Sequence, residues 1–314
     1  MKILDQSYVE THLTVDACLS IMEQALKDER SGSCVQYLRT AIDLPNTNIL
    51  GLMPAYYSEG FFGVKVISVY HTNGGTGYPS HQGAILLFEN EHGELLASVD
   101  AMSITKIRTG AVSAVASRAL ANPDSKVLAI LGCGAQGYSH LDALAKTFDL
   151  TEFRCWDVNK ASAEALAACA QTKKSLNSKA CATVEEAVYG ADIICTVTPA
   201  KAPILCRGWV KDGAHINAIG ACAPTTRELD SDLMADAHVY CDNTESILHE
   251  SGDFLIPLGE NRFGKDHLIG TVGDVLLGKL SGRKGRNEIT IFDAVGMAVE
   301  DIACAIYLYH QSLG

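Results

Sequence analysis

Val127-Leu128-Ala129-Ile130-Leu131-Gly132-Cys133-Gly134-Ala135-Gln136-Gly137 decides how this chain is to be read. Five apolar residues form a short strand, and a GxGxxG turn follows at once. Gly132 permits the tight turn, Gly134 lets the backbone approach a pyrophosphate, and Gly137 lets the next helix pack on the strand. That helix, running through Ala143, turns unpaired N–H groups and the positive end of its dipole toward phosphate. The next apolar run ends at Trp156-Asp157, which puts Asp157 20 residues beyond Gly137. A carboxylate there accepts from ribose hydroxyls and repels a 2′-phosphate, so the turn reads as a dinucleotide site favouring NAD(H). Lys160 keeps NADP(H) open, because a nearby cation tolerates the extra phosphate. A glycine-rich turn without a ligand is the plain alternative, and strand, helix and acid together speak against it.

Outward from this turn, short apolar strands alternate with helices. Strands are expected over residues 127–131, 153–156, 193–197, 215–219, 238–241 and 288–292. That rhythm is the mark of a parallel sheet covered on both faces, an α/β doubly wound domain of Rossmann type. In such a sheet the carboxyl ends of the strands line the cofactor crevice, so Thr198 and Asn217 are candidate contacts for ribose or nicotinamide. They could equally close local turns.

Before the turn cluster Asn122-Pro123-Asp124-Ser125 the pattern differs. A helix over residues 14–29 starts at the cap Thr14 and ends before Gly32. Strands follow over residues 49–54, 62–70 and 84–88, and the last forms a hairpin with 94–99 through Glu91-His92-Gly93. A helix rich in small residues then covers 103–120, and a long apolar helix covers 295–310. We expect an α+β substrate-binding and dimerisation domain from residues 1–121 and 293–314, completed by the C-terminal helix, and a Rossmann domain from 122–292.

The 314 residues carry a net charge of −12, which argues against a nucleic-acid or anionic-membrane surface. No apolar run approaches the roughly 20 residues of a membrane span, and the start of the chain lacks a signal-peptide pattern. The 11 cysteines are scattered without CxxC or zinc-like spacing. A metal is not expected, and a reducing cytoplasm is.

Gly63-Val64-Lys65-Val66, Ile107-Arg108-Thr109-Gly110-Ala111, the GCGAQG turn, His215-Ile216-Asn217-Ala218-Ile219-Gly220 and Phe292-Asp293-Ala294-Val295-Gly296 occur in this order. Together they resemble the ornithine cyclodeaminase/mu-crystallin family over nearly the whole chain. The resemblance implies a homodimer. It implies further that Arg39, Lys65 and Arg108 gather at the substrate carboxylate and reacting nitrogen, with Lys65 and Arg108 catalytic. Ala135, Gln136, Asp157 and Thr198 would contact the dinucleotide, with Arg108 counted among those contacts as well, and Val295 would border the substrate.

The residue types suit these roles. A lysine flanked by Val64 and Val66 in a strand is costly to bury unless it faces a pocket or partner, an exposed sheet face being the alternative. An arginine fork suits bidentate capture of a carboxylate, and Arg108 is expected to act on the substrate and not on the fold.

One position departs from the family. Cys222 stands where ornithine cyclodeaminases carry an aspartate that handles protons on amino groups. Cysteine, with its higher reference pKa, is a poor replacement. The expected activity is therefore reduction of a small cyclic ketimine carboxylate, such as 1-pyrroline-2-carboxylate or 1-piperideine-2-carboxylate. An alanine-type amino-acid dehydrogenase and a cyclodeaminase are the alternatives among enzymes. A crystallin-like protein that binds a dinucleotide without turnover is the non-enzymatic one.

Overall fold

The apolar runs after residue 126 become strands whose side chains are mostly buried. A computed structural model describes residues 1–73 and 76–314. The chain divides into two units, Met1–Arg108 with Gly296–Gly314, and Thr109–Val295.

In the second unit the strands are β8 (Val127–Leu131), β9 (Glu152–Trp156), β10 (Asn177–Ala180), β11 (Ile193–Thr196), β12 (His215–Ala218), β13 (His238–Cys241), β14 (Leu268–Thr271) and β15 (Thr290–Asp293). They form one sheet in the order β10-β9-β8-β11-β12-β15-β13-β14, and every pairing is parallel. The chain winds outward from β8 through β9 to β10, then resumes at β11 on the other side of β8. That reversal is the point where doubly wound sheets open a crevice at their carboxyl edge. The helices are α4 (Ala135–Thr147), α5 (Lys160–Lys174), α6 (Val184–Val188), α7 (Ser231–Asp236), α8 (Thr244–Glu250), α9 (Gly252–Gly259) and α10 (Val272–Leu276). Phe153, Phe254 and Phe292 are fully buried here, each worth about 2–3 kcal/mol of transfer free energy.

The first unit holds β1 (Lys2–Leu4), β2 (Cys34–Gln36), β3 (Thr40–Leu44), β4 (Asn48–Tyr57), β5 (Phe61–Val69), β6 (His81–Glu89) and β7 (Leu95–Asp100). Their order is β1-β7-β6-β5-β4-β2, with β3 also on β4, antiparallel except for the β1–β7 pair. The expected hairpin is β6–β7. The helices α1 (Gln6–His12), α2 (Val15–Ser31) and α11 (Ala298–Gln311) complete the unit, and α11 packs on α2, β4, β5 and β6.

The divide falls within α3 (Ala101–Leu120), earlier than the turn at residues 122–125, and it returns after 295, not 292. The later part of α3 belongs with the second unit for a packing reason. There Ser113 Oγ lies 2.9 Å from His140 Nε2, and Asn217 Nδ2 donates to Ser117 Oγ at 2.9 Å. The C-terminal helix starts at Ala298, not at 295, because Gly296 has a left-handed φ of +81° that breaks helical geometry. The sheet-edge strands β10 and β14 and the short helices α6 to α10 lacked any signal in the expected pattern. Among the described residues no helix is long and apolar enough to cross a membrane.

Candidate functional site

The glycine-rich turn has the shape its spacing implies. Gly132 sits at φ +104°, where a side chain would be strained and a Cβ would lie 2.8 Å from Val197 O. A Cβ on Gly137 would lie 2.5 Å from Gly132 O, so helix and turn touch. At Gly134 the opposite holds: a Cβ would meet nothing within 4 Å. Gly134 is the N-cap of α4 and provides no side-chain cap, whereas α5 to α10 are each capped by a side chain. The first N–H groups of α4 thus border open space beside exposed Gly134 and Ala135. These features fit a pyrophosphate.

Asp157 is tied to this turn. Its Oδ2 accepts from Cys133 N at 2.7 Å and its Oδ1 from Asn159 N at 2.7 Å. Asn159 in turn caps α5 through Ala161 N and Ser162 N. Lys160 is strongly exposed and pairs with Glu164. Thr198 lies just past β11, and a Cβ on Gly132 would be 2.9 Å from its Cγ2. Thr198 N and Oγ1 both donate to Glu228 Oε1, at 2.7 and 2.6 Å.

Asn217, expected at the cofactor, faces inward instead. It is fully buried and its Nδ2 donates to Ser117 Oγ and toward Cys195 Sγ. The reason is position: β12 is buried at all four residues, so a polar side chain within it meets core and not the sheet edge. Cys222 is exposed in the turn after β12, its Sγ 3.4 Å from Ile219 O, and Val295 is buried.

The first unit gathers the three predicted cations from distant parts of the chain. Lys65 on β5 is buried on the sheet face that α11 covers, and its Nζ donates to Asp301 Oδ2 at 3.0 Å. Arg108 donates through Nε to Asp301 Oδ1 at 3.1 Å and through Nη1 to Glu300 Oε2 at 2.8 Å. Arg39 donates from Nη2 to Gly296 O at 3.1 Å. Gly296 closes the group: a Cβ on it would stand 3.0 Å from both Nη1 and Nη2 of Arg108.

Burial lowers the Lys65 pKa from 10.5 to about 8, with Asp301 opposing the fall. Burial also works against the charge on Arg108, but Asp301 and Glu300 outweigh it and hold the guanidinium above its ordinary value. Glu300 and Asp301 are therefore part of the site, and the sequence reading missed them. The signal was available, since two adjacent acids interrupt an apolar helix just as Lys65 interrupts an apolar strand. The expectation that Arg108 spares the fold is corrected as well: it carries two buried carboxylates, and its loss would strand both.

Comparison with known proteins agrees across the whole chain. The family model described as ornithine cyclodeaminase/mu-crystallin family matches residues 1–314. The ketimine reductase mu-crystallin of Mus musculus is 42% identical over 282 residues, which cover 88% of this chain and 85% of that protein. A solved structure of Thermococcus litoralis Delta(1)-pyrroline-2-carboxylate reductase in complex with NADH and L-proline matches with a TM-score of 0.96 at 32% identity, covering 100% of this chain and 98% of its own. An archaeal alanine dehydrogenase dimer with bound NAD matches with a TM-score of 0.95 at 31% identity, covering 100% and 96%.

Proposed function

Because the chain belongs to the ornithine cyclodeaminase/mu-crystallin family, we propose that it is an NAD(H)-dependent oxidoreductase that reduces the C=N bond of a small cyclic ketimine carboxylate. Its substrates are 1-pyrroline-2-carboxylate or 1-piperideine-2-carboxylate, and its products proline or pipecolate. The observation that carries this reading is the cluster in which buried Lys65 and Arg108 pair with buried Glu300 and Asp301, with half-buried Arg39 held on Gly296 O beside Arg108. Two guanidinium groups and an ammonium thus stand at one place, a donor set that suits the carboxylate of a ligand. The related pyrroline-2-carboxylate reductase, solved with L-proline, supports the ring chemistry.

Arg108 spends Nε and Nη1 on its two acids and keeps Nη2 for the substrate carboxylate, where Arg39 joins it. Lys65 gives one donor to Asp301 and has two left for the carboxylate or for a water at the ring nitrogen. With its pKa at about 8 it remains charged at neutral pH. The α4 N-terminus, Gly134, Ala135 and Gln136 take the pyrophosphate, Asp157 takes the ribose, and Thr198 lies at the carboxyl edge of the sheet. When bound, the reduced nicotinamide supplies the hydride for the imine carbon. A protonated imine already carries its proton on nitrogen, so no acid need follow. Cys222 offers no carboxylate for handling protons on an amino group, which favours reduction over ring closure of ornithine.

Asp157 and the NADH- and NAD-bound relatives support a preference for NAD(H) over NADP(H). The dimeric alanine dehydrogenase supports a homodimer, and 11 free cysteines suit a reducing cytoplasm. The test is NADH consumption with the five- and six-membered ketimines, with pyruvate plus ammonia, and with ornithine plus NAD. Turnover of a ketimine is expected. Turnover of pyruvate and ammonia alone would make the protein an alanine-type dehydrogenase. Tight NADH binding without turnover of any substrate would make it a binding protein.

A further inference from the structure

Glu228 is fully buried in the second unit, and no lysine or arginine pairs with it among the described residues. Burial pushes its carboxyl up, against the pull of the Thr198 hydrogen bonds. A buried carboxylate without a cation is costly unless hydrogen bonds compensate it. Its two oxygens take three donors from two turns. Oε1 accepts from Thr198 N and Oγ1, just past β11, and Oε2 accepts from Gly220 N at 2.8 Å, just past β12.

The turns are in close contact around it. A Cβ on Gly220 would lie 2.2 Å from Thr198 O and 2.6 Å from Glu228 Oε2. Thr198 also abuts Gly132, so the carboxylate is one residue removed from the glycine-rich turn. The backbone of Glu228 is itself fixed. Its N–H donates to Asp253 Oδ1 at 2.8 Å, and its carbonyl accepts from Ile204 N at 2.7 Å and Leu205 N at 3.0 Å.

We infer that Glu228 is a positioning residue for the nicotinamide half of the dinucleotide, clamping the turns after β11 and β12 into one surface at the carboxyl edge of the sheet. The inference rests on the dinucleotide reading above. Doubly wound sheets bind the two halves of a dinucleotide on either side of the reversal. Asp157, at the end of β9, serves the adenosine half. β11 and β12 lie on the opposite side of β8. A carboxylate suits the clamp because it is all acceptor, whereas a glutamine amide would turn an NH₂ toward one of three donors.

Glu228→Gln is the test, read by titrating the intact protein with NADH and with AMP, which reaches only the adenosine half, beside a melting curve. The variant is expected to weaken NADH by about 10-fold or more while AMP affinity stays within about twofold. If the glutamine variant does not fold, Glu228→Asp keeps the charge but is one methylene too short to span both turns, and the same selective loss is expected. NADH affinity within about twofold of the parent overturns the inference, as does an equal loss of NADH and AMP, which would mark a purely structural role. A parent protein that binds neither ligand overturns the dinucleotide reading, and this inference with it. A parent that binds both, beside a variant that binds both with affinities within about twofold of the parent's, overturns the inference alone.

Discussion

The glycine-rich turn of the second unit and the ionic cluster of the first are two ways of making a binding site. The turn works by absence: open space at Gly134, a helix start without a side-chain cap, and the first backbone N–H groups of α4 beside that space. The cluster works by excess, with Lys65, Arg108, Glu300 and Asp301 all buried and committed to one another. The first can lose its function at Gly134 and remain folded, since a side chain there would meet nothing within 4 Å. The second cannot, because each charge is the solvent of its neighbour. Buried ion pairs repay their desolvation only when both partners are present.

Three substitutions press on this contrast. The largest effect is expected at Asp301→Asn, which withdraws a charge from both Lys65 and Arg108. It should cost about 3–5 kcal/mol of stability in a denaturant titration, besides any loss of activity. A free energy within about 0.5 kcal/mol of the parent would mean that the cluster is no more integral than the turn. Next, Gly134→Val should weaken NADH by about 100-fold, or 2.8 kcal/mol, with an unchanged denaturation midpoint, because Gly134 has an ordinary negative φ and space for a side chain. A folded valine variant with parental NADH affinity would remove the turn from the site.

The smallest effect concerns acids in the core of the second unit. Burial, with Asp293 and Glu228 nearby, pushes the Asp253 carboxyl well up, and burial brings Asp293 to about 7 despite a bond from Ser251. Both lie above the unfolded value of about 3.9, so the native state keeps protons that the unfolded chain releases. The stability that Asp293 contributes is complete below pH ~4 and is lost as pH rises through about 7. Asp293→Asn should flatten that decline, by a difference on the order of 4 °C in Tm between pH 5 and 8. Parallel curves for parent and variant would assign the slope to other groups. Such a slope would show that the second unit, too, holds committed charge, though away from its turn.

What could be read in advance follows the same contrast. The turn is local: strand, three glycines, helix and Asp157 occupy one stretch of chain, and their spacing carries their geometry. Lys65 could be suspected because a cation in an apolar strand must be compensated. What compensates it is Asp301, 236 residues away, and no spacing rule links the two. Glu228 was hidden likewise, since its three donors belong to turns whose approach depends on strand order. Asn217 misled for another reason. In a central strand such as β12 every residue is buried, so nearness to the strand end does not say where a side chain points.

Gly296 has no side chain to offer a ligand, yet its carbonyl receives Arg39, a side chain on it would press on the Arg108 guanidinium, and its backbone angle is one that other residues rarely adopt. A saturation screen scored by growth or turnover would rank position 296 with 65 and 108. An inherited or laboratory-made change there would pass for the loss of a reactive group, although no reactive group had been removed. In variant interpretation, intolerance at such a position reports the shape of a seat, not the identity of its occupant.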